Sequence, residues 1–141
     1  MSSILFKAED AMESYLNGTT GLESISGFYR GSDNQEYKLP FISILAENGE
    51  ERNPRGSGNY SVILNVELHT SVDDVNRTDR ITLTETLLDK LCVTDLADQM
   101  SLADNFHVHG IVFNTQSQRI SNRSHAYIVS IRVDCRNADP S

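Results

Sequence analysis

The segment from Tyr60 to Thr70 gives the clearest strand pattern in the sequence. Its apolar side chains occupy every second position, at Tyr60, Val62, Leu64, Val66 and Leu68. Polar side chains fill most of the intervening positions, at Ser61, Asn65, Glu67 and His69. Because successive side chains of a strand point to opposite faces, this pattern predicts a sheet with one face on a core and one face partly exposed to water.

Four other segments carry weaker strand patterns. Residues 22–29 alternate weakly and predict an edge strand, and residues 39–46 form a short apolar run with Pro40 near its start. Residues 106–113 predict a strand with Phe106, Val108 and Val112 on one face. The last strand, residues 127–135, places five side chains on one face: Tyr127, Val129, Ile131, Val133 and Cys135.

Helical periodicity appears at the N-terminus and in the middle of the chain. Residues 4–17 predict an amphipathic helix with an apolar stripe of Leu5, Ala8, Met12, Tyr15 and Leu16 and a polar side of Lys7, Glu9, Asp10 and Glu13. A second helix is predicted from an Asp73 or Asp74 cap to about Cys92, with a buried stripe of Ile81, Leu87, Leu88 and Leu91. A short helical turn then begins at Thr94 or Asp95 and carries Leu96, Ala97 and Met100.

This order of elements predicts an α+β fold. The sheet is expected to be mainly antiparallel or mixed, with four to five strands and with the N-terminal and central helices packed on one face. The chain of 141 residues is expected to form a single domain, 1–141, with a flexible loop at 47–59 and a short C-terminal tail at 137–141.

Charge and targeting signals narrow the class of protein. With 12 basic and 20 acidic residues the net charge is −8, which argues against a general nucleic-acid-binding protein. The N-terminus does not predict a signal peptide, and no segment predicts a membrane span. The two cysteines, Cys92 and Cys135, form no metal or redox motif and are expected to be small, buried and reduced.

The residues that could support catalysis or metal binding form no complete site. His107 and His109 lie two apart on a predicted strand and therefore share a face, expected to be that of Ile111 and Phe113, but a zinc site needs three or four ligands. Asp73 and Asp74 fit helix caps better than a cation site, and Ser57 does not lie in a nucleophile elbow. We therefore predict no enzymatic activity, no cofactor and no metal, with His107 and His109 as weak metal candidates.

The loop predicted at 47–59 is the best candidate for an interaction site. Arg52, Asn53, Pro54 and Arg55 lie on a charged excursion between two well-formed strands. Long loops of this kind either are mobile or carry function. If this loop carries function, it is expected to become ordered on contact with a neighbouring subunit or an axial partner.

The whole pattern resembles the tail-terminator and tail-completion proteins of long-tailed bacteriophages, over roughly residues 4–136. The resemblance rests on element order, on Asp73-Asp74 before an Arg-containing helix, and on five segments: Leu-Pro-Phe-Ile-Ser-Ile at 39–44, Gly58 to Val62, the strand end His69-Thr70-Ser71, Phe106 to Ile111, and the final Ile131 to Arg136. It implies a hexameric ring that closes the head-proximal end of a tail tube. It also implies contacts with the tube protein and a head-side connector, DNA passing through the lumen without specific binding, and no membrane association. The expected location is the virion, and the host cytoplasm during assembly.

Three alternatives remain open from the sequence. The chain could be another head–tail connector or neck protein, which the element order barely separates from a terminator. It could be a small metal-dependent enzyme built on His107, His109 and perhaps His69. It could also be an adaptor that binds a peptide along an exposed strand edge.

Overall fold

The computed structural model describes residues 4–30, 38–51, 58–71, 77–93, 95–101, 106–120 and 124–137. Within these ranges the helices are α1 (Ile4–Asn17), α2 (Arg77–Leu91) and α3 (Leu96–Met100). The strands are β1 (Phe28–Arg30), β2 (Phe41–Glu51), β3 (Asn59–Thr70), β4 (Phe106–Ile120) and β5 (His125–Asn137). The predicted α+β class and element order are confirmed.

The five strands form one mixed sheet in the order β1-β2-β3-β5-β4. β1 is parallel to β2, and all other neighbours are antiparallel. β3, whose alternation is the clearest in the sequence, is the middle strand, and β5 lies beside it. Their registered pairs, such as Val62 with Val133 and Leu64 with Ile131, place both apolar sets on the same face.

All three helices contribute to a single core on that face. The fully buried residues of the cluster come from α1 (Ala8, Met12, Leu16), from β2 and β3 (Ile42, Ile44, Val62, Leu64, Val66), from α2 and α3 (Leu87, Met100) and from β5 (Val129, Ile131, Val133, Cys135). The helices therefore cover one side of the sheet, as predicted. The other side, which we call the open face, carries Ser61, Asn65, Glu67 and His69 and is not covered by any helix in the described ranges.

The polar side of α1 is less exposed than its sequence predicts. Glu9 is 5% exposed, and its Oε2 accepts a hydrogen bond of 2.8 Å from the backbone N–H of Ala46. Ala46 lies just beyond the segment of β2 that β1 covers, and a β-bulge follows it. The carboxylate thus satisfies a backbone donor that has no strand partner on that side.

In α2 the predicted buried stripe is wrong at Ile81, which is 42% exposed. The buried positions are Leu83, Leu87 and Leu91, which recur every four residues and so form one helical face. Ile81 is two residues from Leu83 and faces away from that stripe. The cap predicted at Asp73 or Asp74 lies outside the described residues.

In β4 the predicted alternation is wrong beyond Val108. A bulge at His109 lets Val108 pair with Cys135 and Gly110 with Asp134, so the side chains change face. Ile111 then pairs with Val133 and packs against the core, while Val112 is 45% exposed. His107 and His109 therefore do not share the face of Ile111 and Phe113.

Several predicted boundaries also change. The strand predicted at 22–29 shortens to Phe28–Arg30, since residues 22–25 form turns. β2 continues to Glu51 and β3 begins at Asn59, so part of the loop predicted at 47–59 is strand, and residues 52–57 lie outside the described residues. Asn137 belongs to β5 rather than to a tail. Cys135 is buried as predicted, but Cys92 is exposed.

Candidate assembly surfaces

The strand ends that flank the predicted interaction loop, the end of β2 and the start of β3, lie at the same end of the sheet as the histidine pair. Asn59, which opens β3, pairs with Arg136 of β5, and Arg136 also pairs with His107 of β4. His109 Nε2 lies 3.3 Å from Asn59 Oδ1. The histidine pair therefore borders the point where the chain leaves the loop, although Arg52, Asn53, Pro54 and Arg55 themselves lie outside the described residues.

The two imidazoles are close but have no further ligand beside them. The ring centroids of His107 and His109 are 4.9 Å apart in an edge-to-face arrangement. Among the residues described, no three His, Cys, Asp or Glu side chains are placed to share a metal ion. His69 lies ten residues along β3 from Asn59, roughly 33 Å away at the rise of a strand. The three-histidine metal site considered from the sequence is therefore not assembled by this fold.

His69 belongs instead to a polar network on the open face. Its ring stacks on Phe41 with centroids 4.5 Å apart, and its Nε2 lies 3.2 Å from Glu67 Oε1. Arg119 Nη2 lies 3.3 Å from the same carboxylate oxygen. The hydrogen bond from His69, aided by the charge of Arg119 and opposed by burial, lowers the pKa of the Glu67 carboxyl.

Both lateral edges of the sheet offer strand backbone to a partner. β4 is an edge strand of fifteen residues, with bulges at His109 and Asn114. It exposes two large apolar side chains, Val112 at 45% and Ile120 at 72%. On the opposite edge, β1 covers only Ile42 to Ile44 of β2. Exposed edges of this kind favour pairing with another chain.

Two clefts flank α2 at the end of the sheet opposite the histidine pair. One lies between α2 and the β4–β5 hairpin and has a volume of about 290 Å³. The other, of about 470 Å³, lies between α2 and the segments around Gly21 and Pro40. Arg80 lines both clefts. Nothing in the sequence singles out Arg80, because an arginine in a polar helical segment forms no motif.

None of the described helices is long and apolar enough to cross a membrane.

The sequence matches no protein-family model and no curated protein. Among solved structures, the fold is similar to a chain described as "Virion of native gene transfer agent (GTA) particle". The TM-score is 0.72 at 13% sequence identity, and the match covers 96% of this chain and 100% of the other. At this identity the likeness establishes a shared fold over nearly the whole chain.

Proposed function

We propose that this protein is a structural component of a phage-like virion and acts as a tail terminator, closing the head-proximal end of a tail tube as a ring. The observation that carries the proposal is the end-to-end fold match to a chain of a gene transfer agent virion. The resemblance of the sequence to tail-terminator proteins, which rests on different information, supports the same role. Both fit a single domain without catalytic activity.

The geometry of the sheet supports self-association into a ring. Among the described residues, β4 has no strand partner on its outer side and β1 covers only Ile42 to Ile44 of β2, and these two edges lie on opposite sides of the same sheet. A contact between two different surfaces repeats from subunit to subunit, and it closes into a ring when the rotation allows. A hexamer is the stoichiometry that the resemblance implies.

The loop and the net charge suggest how such a ring would contact its partners. Arg52, Asn53, Pro54 and Arg55 lie between β2 and β3, where the loop would reach a neighbouring subunit, the tube protein or a head-side connector. The net charge of −8 would let DNA pass through a lumen without specific binding. The location would be the virion, reached from the host cytoplasm during assembly.

Another neck protein is the second candidate, because the fold match names a virion and not a position within it. A tail terminator binds the end of the tail tube, whereas a connector on the head side does not. Binding to a purified tube protein would therefore separate these two candidates.

The first test is the mass of the purified protein in solution by multi-angle light scattering across concentration, with electron micrographs of the same sample. We expect a closed ring, alone or after addition of a tube protein. Val112→Lys, which adds a charge to the exposed β4 edge, is expected to reduce the ring fraction. The matched control Phe6→Lys, at a residue of α1 that is 63% exposed, is expected to leave it unchanged. A monomer at every concentration, with and without tube protein, would contradict the proposal.

A further inference from the structure

The cleft between α2 and the β4–β5 hairpin lies at the end of the sheet where β3 and β4 end and β5 begins. Thr70, at the end of β3, and Ile120, at the end of β4, both pair with His125, the first residue of β5. α2 contributes Arg80, Ile81, Thr84 and Glu85 to the cleft, and the hairpin contributes Gln118, His125 and Tyr127.

Arg80 brings to this cleft a positive charge that no described residue pairs with. Three other arginines differ from Arg80 because each lies beside a carboxylate. They are Arg30, beside Asp10 and Glu13; Arg119, beside Glu67; and Arg132, beside Asp134. Arg80 forms no ion pair with any described residue, including Glu85 in the same cleft. A half-buried guanidinium that has no counter-ion among the described residues is well suited to an external anion.

His125 adds a buried polar group that no described residue satisfies. Its residue is 7% exposed, and its Nδ1 has no hydrogen-bond partner among the described residues. Burial, together with the positive charge of Arg80, lowers the pKa of the imidazole. A buried nitrogen without a hydrogen-bond partner is destabilising, and a ligand that accepts its hydrogen bond removes this cost.

The composition of the cleft selects the type of anion. Among the described residues that line the cleft, Arg80 is the one permanent cation, and the carboxylate of Glu85 lines the same space and repels a doubly charged ligand. Ile81 and Tyr127 add apolar surface, while Gln118 adds an amide donor. A singly charged carboxylate attached to a short aliphatic stem fits this combination better than a phosphate dianion does.

We propose that the cleft between α2 and the β4–β5 hairpin binds a carboxylate group through Arg80 and His125, and that an acidic side chain of a neighbouring polypeptide supplies it. The carboxylate accepts hydrogen bonds from the guanidinium and stabilises a proton on the imidazole. This site does not depend on ring formation, since it requires one acidic side chain and no particular symmetry.

The test follows the four histidine rings by NMR in isotopically labelled protein, with His125 assigned from a His125→Gln variant. The probes are acetyl-Gly-Glu-Gly-amide, sodium succinate and sodium phosphate at matched ionic strength. We expect the peptide to shift the His125 signal saturably and to raise its pKa. Arg80→Gln is expected to weaken this binding about tenfold. The control Arg136→Gln removes the same charge from an exposed residue at the other end of the sheet and is expected to leave binding unchanged.

Three results would overturn parts of the proposal. The absence of a saturable His125 shift, or equal binding by the Arg80→Gln variant with an unchanged circular dichroism spectrum, would remove the site. Tighter binding of phosphate than of either carboxylate would remove the assigned ligand class. Tighter binding of succinate than of the peptide would assign the cleft to a free metabolite and not to a neighbouring polypeptide.

Discussion

At the scale of single residues, the buried carboxylate of Glu9 takes the place of a strand partner for β2. β1 ends its pairing with β2 at Ile44, and the N–H of Ala46 would otherwise face inward without an acceptor. A glutamate on the helix that packs across this edge provides the acceptor. A charged side chain is therefore part of the contact between α1 and the sheet, at a position that a helical-wheel argument assigns to solvent.

Replacing Glu9 by alanine is expected to lower the free energy of unfolding by about 1–3 kcal/mol, because the buried N–H of Ala46 loses its acceptor. Glu9→Gln is expected to lose less, since the amide oxygen still accepts. Urea denaturation followed by circular dichroism measures both variants. Glu50→Ala, at an exposed position of β2, serves as the control and is expected to change stability by less than about 0.5 kcal/mol. A Glu9→Ala variant as stable as this control would show that the hydrogen bond contributes nothing.

At the scale of elements, the bulge at His109 decides which half of β4 belongs to the core. Before the bulge, Phe106 and Val108 face the helices, and after it Ile111 and Phe113 do. The same irregularity turns Val112 outward on an edge strand. The bulge therefore both continues the core and leaves an apolar side chain exposed for contact with another chain.

Replacing each of two adjacent β4 residues by threonine tests which of them packs against the core. Ile111→Thr is expected to lower the free energy of unfolding by about 1–2 kcal/mol, because it removes apolar contact with the core. Val112→Thr is expected to change it by less than about 0.5 kcal/mol, because the side chain is largely in water. Equilibrium unfolding in urea compares the two. A larger loss of stability in Val112→Thr than in Ile111→Thr would mean that the side chains of β4 alternate without a bulge at His109.

At the scale of the whole molecule, the central strand β5 lies between β3 and β4 and is covered by the helices. Cys135, on this strand, is fully buried. Burial, together with the nearby negative charge of Asp134, raises the pKa of its thiol to about 12. The thiolate is the reactive form, so this cysteine is protected twice, by lack of access and by lack of ionisation. Cys92, just after α2, is exposed.

Thiol labelling with a disulfide reagent at pH 8 is therefore expected to proceed in two phases. One equivalent, from Cys92, reacts rapidly in the native protein, and the second, from Cys135, reacts at the rate of global unfolding. In a Cys92→Ser variant the rapid phase disappears while the slow phase remains. Rapid reaction of both thiols in the wild-type protein would show that the core opens locally around β5.

The sequence by itself determined the elements whose periodicity is long and regular. The limits of α1 and the inward faces of β3 and β5 follow from apolar spacing alone, because those segments pack against one uniform surface and contain no bulge within the core. The α+β class follows from their order. The resemblance to tail-terminator proteins also came from the sequence and stays a prediction, whereas the match to a virion chain establishes a shared fold.

The tertiary structure alone decided the features that depend on a neighbouring element. The parallel pairing of β1, the bulge at His109 and the burial of Glu9 each arise from a partner strand or helix that local spacing does not encode. The same holds for the cleft, where Arg80 and His125 are 45 positions apart in the chain and line one space because α2 lies beside the β4–β5 hairpin. Local sequence sets which face of an element is apolar, but the contacts between elements set which polar groups become buried, unpaired and available for binding.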